Sequence, residues 1–312
     1  MVIKGEKISM DDISRAWYGV HIELALLKKN EQEYEDFFCK VMKLKYSDNF
    51  QLIKAAGRDG DGKADGYLIP EKCVYQSYAP SSGFNKSKLL NKIEGDFKGA
   101  KEKWGNRLDK WVFLHNSQEG LPKYGLDLIL ELRDLNPTIE ITPPWGPSEV
   151  KELILSLTDV QLFELFGPAP TQQDIVSLTH EPIKTLFRAM SGKVAKKIDI
   201  GPVSVDKLEF NKLSDDVEVL LTAGRRKEKL VEDLLLNWPD PEYGENLAES
   251  FRNKYKLLSL EMTSPDKVFA GLRSFSGGES DDISAQVSSL AVLSYFFERC
   301  DIFENAPEGW RV

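Results

Sequence analysis

The side chains best suited to metal-assisted chemistry gather between Gly57 and Pro80, in GRDGDGKADGYLIPEKCVYQSYAP. Asp59, Asp61 and Asp65 sit in a glycine-rich turn that leads into strands. Carboxylates crowded in this way repel one another, and a divalent cation relieves the repulsion. The competing reading is a solvated polar turn, because Gly and Asp are common turn residues. Alternation along the following strand puts Gln76 and Tyr78 on one face. A hairpin from Asp65 to Gln76 brings those two side chains close across a sheet, and Glu35 is the candidate acid on a preceding helix. Such a constellation suits phosphodiester cleavage: carboxylates hold magnesium against a phosphate oxygen, and a neighbour positions the attacking water.

Two other motifs fail on this turn. Gly57-x4-Gly62-Lys63 has phosphate-loop spacing, but Ala64 stands where a hydroxyl must ligate magnesium, and a strand follows instead of a helix. A calcium loop starting at Asp59 has Lys63 at its fifth position and Pro70 where the bidentate Glu belongs. Ser276-Gly277-Gly278-Glu279 is superficially like an ABC-ATPase signature, but it lacks Walker partners and reads as a turn plus a cap.

The elements that must position these groups can be read from periodicity. A helix runs to about Asn30, and a second runs from Glu31 to Lys45 with Tyr34, Phe37, Phe38, Val41, Met42 and Leu44 on its apolar face. Strands are expected at Phe50–Ala55, Gly66–Ile69, Lys72–Ala79, Lys110–His115 and Thr138–Ile141. Helices are expected at Lys86–Arg107, Gly125–Leu135, Pro147–Leu157 and Asp159–Phe166. That order predicts an α/β domain with a mixed central sheet flanked by helices, antiparallel at its start and parallel at its finish. GPAPTQQ (167–173) reads as a linker, dividing an α/β domain at 1–167 from a mostly α-helical domain at 168–312. The second domain is expected to have helices near 171–194, 214–237, 240–261, 265–274 and 280–300. The last of these is apolar nearly all round and should be central to that domain or to an interface.

With those elements in place, residues 31–142 resemble the PD-(D/E)xK restriction-endonuclease-like superfamily, in its branch with a DG…QxK pattern. The resemblance implies a nuclease-like α/β fold and a magnesium or manganese ion held by Glu35, Asp65 and Gln76. Tyr78 occupies the position of the usual lysine. Lys63 lies two residues before Asp65, where an extended chain would put both on one side, and Lys54 ends the first strand; both are long enough to reach a phosphate. Tyr78 could donate a hydrogen bond to that phosphate. KADGYL…VYQSYAP is similar to nuclease-like effectors of bacterial conflict systems, some of them encoded beside ABC-type ATPases. SSLAVLSYFFERCDIFENAP resembles a helical tail found in such three-component systems.

Composition bounds these readings. The 312 residues exceed what one core usually supports. A net charge of −9 excludes a polycation that coats nucleic acid. The stretch from Lys86 to Lys110 nevertheless carries eight basic residues against four acids, a local positive face that could track a phosphate backbone or simply be solvated. Trp104 and Trp111 could stack on bases but read better as core. Cys39, Cys73 and Cys300 form no CxxC pair, and no two histidines have zinc spacing. The Arg225-Arg226-Lys227 triplet reads as surface. No run reaches the roughly 20 apolar residues of a membrane span. The expectation is a cytoplasmic, magnesium-dependent deoxyribonuclease of an anti-phage or anti-plasmid system. Its helical domain would form a homodimer or dock a partner ATPase. The alternative is a degenerate nuclease fold kept as a nucleic-acid-binding or assembly module.

Overall fold

The computed structural model describes residues 10–53, 63–191, 207–262, 264–299 and 302–304. Asp59, Asp61, Lys54 and Cys300 lie outside the described residues. The chain divides into two compact units, one spanning Ile22–Leu165 and the other combining residues up to His21 with Phe166 onward. The boundary near Phe166 adjoins the expected linker. The first turns of the chain, read above with the α/β domain, group instead with the helical unit.

In chain order the α/β unit takes its elements from α1 (Asp12–Lys28), α2 (Glu31–Tyr46), β1 (Phe50–Leu52), β2 (Gly66–Leu68), β3 (Cys73–Tyr78), α3 (Lys86–Trp104), β4 (Lys110–His115), α4 (Lys123–Leu135), β5 (Glu140–Ile141), α5 (Pro147–Leu155) and α6 (Asp159–Phe166). The five described strands form one sheet in sequence order. β1–β2 and β2–β3 are antiparallel, whereas β3–β4 and β4–β5 are parallel. The parallel pairs need crossovers, which α3 and α4 supply. Their apolar faces cover one side of the sheet: Leu89, Ile93, Phe97 and Ala100 of α3 and Ile129 of α4 cluster with Val74, Trp111, Phe113 and Ile141. Asn85 caps α3, its side chain accepting from the Lys88 N–H at 3.1 Å. The other side belongs to α2, whose Tyr34, Phe38, Val41 and Met42 are buried. Burial of each such side chain is worth roughly 1.5–3 kcal/mol. Phe38 and Phe50 both meet the Tyr75 ring of β3, at 5.6 and 6.1 Å between centroids. Gly66 is needed here, since a Cβ at that position would lie 2.1 Å from the Phe50 ring.

The helical unit holds α7 (Gln172–Ser177), α8 (His180–Met190), α9 (Lys207–Phe210), α10 (Asp215–Arg225), α11 (Glu228–Leu236), α12 (Tyr243–Glu261), α13 (Pro265–Phe275) and α14 (Ile283–Glu298). Every residue from Gln286 to Phe297 is buried, and α14 packs against α8, α10, α11 and α13. The apolar circumference of its sequence is therefore satisfied inside the unit. Two expected helices are each broken in two. The break before α8 places Pro182 in that helix's first turn, where its missing N–H costs nothing. The break between α10 and α11 frees Lys227, whose ammonium donates to the carbonyls of Val176 and Leu178 at the end of α7, at 2.7 and 3.2 Å. Arg225 pairs with Glu298 at 3.1 Å. Two members of the basic triplet are thus structural. Gly167-Pro168-Ala169-Pro170 is tied down as well. The Gly167 carbonyl accepts from Tyr18, that of Pro168 from Gln286 and that of Pro170 from Ser14. Ser276–Glu279 forms the turn after α13, with Gly277 at φ +85°, and Asp282 then caps α14.

Candidate functional site

The site begins with a mismatch in strand length. β2 pairs with β3 only as far as Gly66↔Tyr75, while β3 continues through Tyr78 alongside β4. Beyond Tyr75, the β2 side of β3 has no strand partner. The Asp65 side chain takes that place. Its Oδ2 accepts from the Ser77 backbone N–H at 2.5 Å and from Ser77 Oγ at 2.7 Å. Its Oδ1 lies 3.5 Å from Gln76 Nε2. Asp65 is 8% exposed and Gln76 1%. The hairpin therefore unites the predicted aspartate and amide, while Ser77 is a partner the sequence did not reveal. Side-chain alternation alone assigns Ser77 to the opposite face from Gln76.

The second acid comes from α2. Cys39 Sγ donates to the Asp65 carbonyl at 3.6 Å, so this face of α2 lies on the start of β2. Glu35 is one turn earlier on the same face. Burial, reinforced by the nearby Asp65 and Glu35 charges, pushes the Cys39 thiol up to about 12, and it remains protonated. Burial likewise raises the Asp65 carboxyl to about 6; the Ser77 bonds oppose the rise, the Glu35 charge adds to it, and Lys92 opposes it more weakly. Glu35, Asp65 and Gln76 thus share one neighbourhood, in which the Glu35 charge makes ionisation of Asp65 less favourable.

The cations differ from expectation. Lys63 is not extended: its φ is +56°. Its stem lies against Gly99 of α3, where a Cβ would come within 2.6 Å of Lys63 Cγ. Its ammonium is 3.4 Å from Asp96 Oδ1. Lys92, one of eight basic residues on that stretch, is 2.7 Å from Asp96 Oδ2. Asp96 is 1% exposed and gathers both lysines beside α3. Lys92 is the one whose charge is felt at Asp65. Only its position in the fold distinguishes it from the other basic residues of α3.

Tyr78 follows Gln76 on β3 and stacks on Phe84, 6.0 Å between centroids. His115 lies beside it on β4, and burial lowers this imidazole to about 4. Trp111 is fully buried. Trp104 stacks on Tyr67 at 4.3 Å, and the Arg107 guanidinium lies 5.7 Å from the Trp104 ring centroid. The two tryptophans are packing groups in this unit.

The donor set suits a hard divalent cation. Gln76 Oε1 is buried without a hydrogen-bond partner, and the Nε2 contact to Asp65 is at the weak limit for a hydrogen bond. Turning the amide over presents an oxygen to Asp65 Oδ1 at a comparable distance. Two oxygens so placed repel unless a cation lies between them. Cis ligands of magnesium stand about 3 Å apart, given Mg–O distances of roughly 2.1 Å. Among the described residues, no group of three or more His, Cys, Asp or Glu is placed to hold a metal; of those residues, the Gln76 amide is the donor that joins the two acids. No helix of the described residues is long and apolar enough to cross a membrane.

No curated protein and no solved structure matches the chain. One family model does match: residues 183–304 are similar to CTD10, C-terminal domain 10 of the ABC-three component (ABC-3C) systems, and the helical unit thereby carries a segment of the kind found in those systems.

Proposed function

We propose that this protein is the metal-dependent nuclease of an ABC-three component system, hydrolysing DNA phosphodiester bonds, with the PD-(D/E)xK resemblance of its α/β unit reflecting common chemistry. The observation that carries the reading is the buried Asp65, anchored by Ser77, set beside the Gln76 amide and raised by burial, with the charge of a second acid, Glu35, adding to the rise. Glu35, Asp65 and Gln76 would hold magnesium or manganese, which when bound supplies Lewis-acid stabilisation of a phosphate oxygen and an activated water. Ser77 fixes one oxygen of Asp65 so that the other stays directed at the Gln76 side. Lys92 and Lys63 stand in for the lysine that Tyr78 replaces, placing positive charge where phosphate charge develops. The similarity of residues 183–304 to an ABC-3C C-terminal domain supports a docking role for the helical unit, toward a partner ATPase or a second copy. A partner also fits a chain of net charge −9, which by itself attracts DNA weakly.

Plasmid cleavage with magnesium or manganese, in the presence of the system's other components, tests the reading. Wild type should nick or linearise DNA, and Asp65→Asn should lose at least a thousandfold in rate. Equal behaviour of the two would remove the enzyme reading. A second reading has one observation in its favour: Tyr78 sits where the lysine is expected, and both nearby lysines are engaged by Asp96. It is a catalytically degenerate nuclease fold that binds nucleic acid or assembles with a partner, and intact plasmid with retained partner binding would favour it.

A further inference from the structure

A cleft of about 610 Å³ opens at the carboxyl ends of β3 and β4, with Asn30, Ser81, Phe84, Asn116, Ser117 and Glu119 among its lining residues. Carboxyl ends of parallel strands are the usual place for ligands in α/β sheets. Two elements lead from the cleft toward the candidate site, whose own residues do not line it. Pro80, also in its wall, is three residues beyond Ser77, or about 10 Å along an extended chain. Asn30 precedes Glu35 by five residues, roughly 7.5 Å of helix. A nucleotide adjoining a phosphate held at Asp65 falls within that reach.

The chemistry of the walls specifies what enters. Asn116 Nδ2 donates to Asn30 Oδ1 at 2.8 Å, and this bond orients the Asn116 amide while leaving its carbonyl oxygen and second proton for a ligand. An amide presenting one donor and one acceptor matches the hydrogen-bonding edge of a nucleobase. Glu119 adds an acceptor suited to an exocyclic amine. Phe84 is half-buried, held by Tyr78 on one side and by the edge of His115 at 5.9 Å, which fixes an aromatic wall for stacking.

We propose that this cleft is a nucleobase pocket, taking an unpaired base of a single-stranded or locally opened strand next to the scissile phosphate. The proposal rests on the nuclease reading for its purpose but not for its test. A base inside a duplex cannot reach such a pocket without leaving the stack, so the protein should prefer single strands.

The experiment uses the full chain without added metal and a single-stranded oligonucleotide carrying one 2-aminopurine, whose emission reports stacking and unstacking. Wild type should change that emission on binding and bind the same sequence as a duplex at least tenfold more weakly. Asn116→Ala should weaken single-strand binding at least fivefold. Ser117→Trp, which fills the cleft from a wall position, should abolish the emission change; circular dichroism would establish that both variants are folded. Because no metal is added, the emission change reads the cleft apart from the metal site. Unaltered emission on binding, equal affinity for duplex, or cleft variants that behave as wild type would each overturn the pocket.

Discussion

Each unit buries a charge-bearing side chain, and the two are treated in opposite ways. Arg273 of the helical unit is 0% exposed. Its guanidinium lies 4.2 Å from the Trp17 ring centroid and meets both ring nitrogens of His21, at 3.0 and 3.4 Å. Because His21 Nδ1 also sits 2.8 Å from the Trp17 carbonyl, Nδ1 carries the proton and Nε2 accepts from the arginine. Burial lowers the guanidinium to about 10, with Glu279 opposing, and it remains charged. Asp65 of the α/β unit also has well-made bonds on one oxygen. Around the other oxygen it has an orphaned amide and a second acid. A buried charge set against a ring face and one imidazole acceptor, even with its Nε unpartnered, is a packing device. A buried charge facing its own sign, as Asp65 faces Glu35, is the environment in which binding groups are commonly found.

The largest effect expected from this contrast is on stability. Arg273→Ala removes a long buried stem together with its ring and imidazole contacts, and should cost about 3 kcal/mol in urea unfolding. Arg273→Met keeps most of the volume and should cost about 1 kcal/mol, the cation–π and hydrogen-bond share. An arginine kept for function would reverse that pattern, with little loss of stability in either variant.

Asp65→Asn should move the other way, gaining about 1–3 kcal/mol at pH 7, because it removes a carboxylate held well above its ordinary range while keeping an acceptor for Ser77. The pH dependence sharpens the point. Folded Asp65 keeps its proton to about 6, whereas the unfolded chain releases it near 3.8. Its contribution to stability therefore falls as pH rises from about 4 to 6. His115 has the opposite sign: it titrates near 4 when folded and 6.5 when unfolded, so its stabilisation is lost as pH falls through that window. The two slopes oppose each other in wild type. Asp65→Asn should expose the His115 slope as a steeper loss of stability between pH 6.5 and 4, measured by thermal melts across pH. Parallel profiles for wild type and variant would contradict the Asp65 assignment.

Much of the fold was legible because its signals were long or chemically pure. KWVFLH and KCVYQSYA read as strands from their β-branched and aromatic content, and α14 read as buried from its apolar circumference. The split between α10 and α11 was not legible, because its cause is tertiary: Lys227 seals the end of α7 only when the two are separate. The split before α8 does carry a local sign, Pro182 in the first turn of α8. At the site, Asp65 and Gln76 followed from hairpin register. Ser77 did not, since its donating backbone N–H depends on β2 stopping short of β3. Lys63 was misplaced because a left-handed residue breaks the extended chain on which alternation relies. Lys92 was hidden among equals, and only the buried Asp96 singles it out.

Calorimetric titration of the full chain with manganese at pH 7.5 tests the central claim most directly. Wild type should bind one ion, and in titrations at pH 6 it should also release a proton as Asp65 ionises. Glu35→Gln and Asp65→Asn should each weaken binding at least tenfold. Heat changes indistinguishable from buffer for wild type, or an affinity unaltered by both substitutions, would contradict the account.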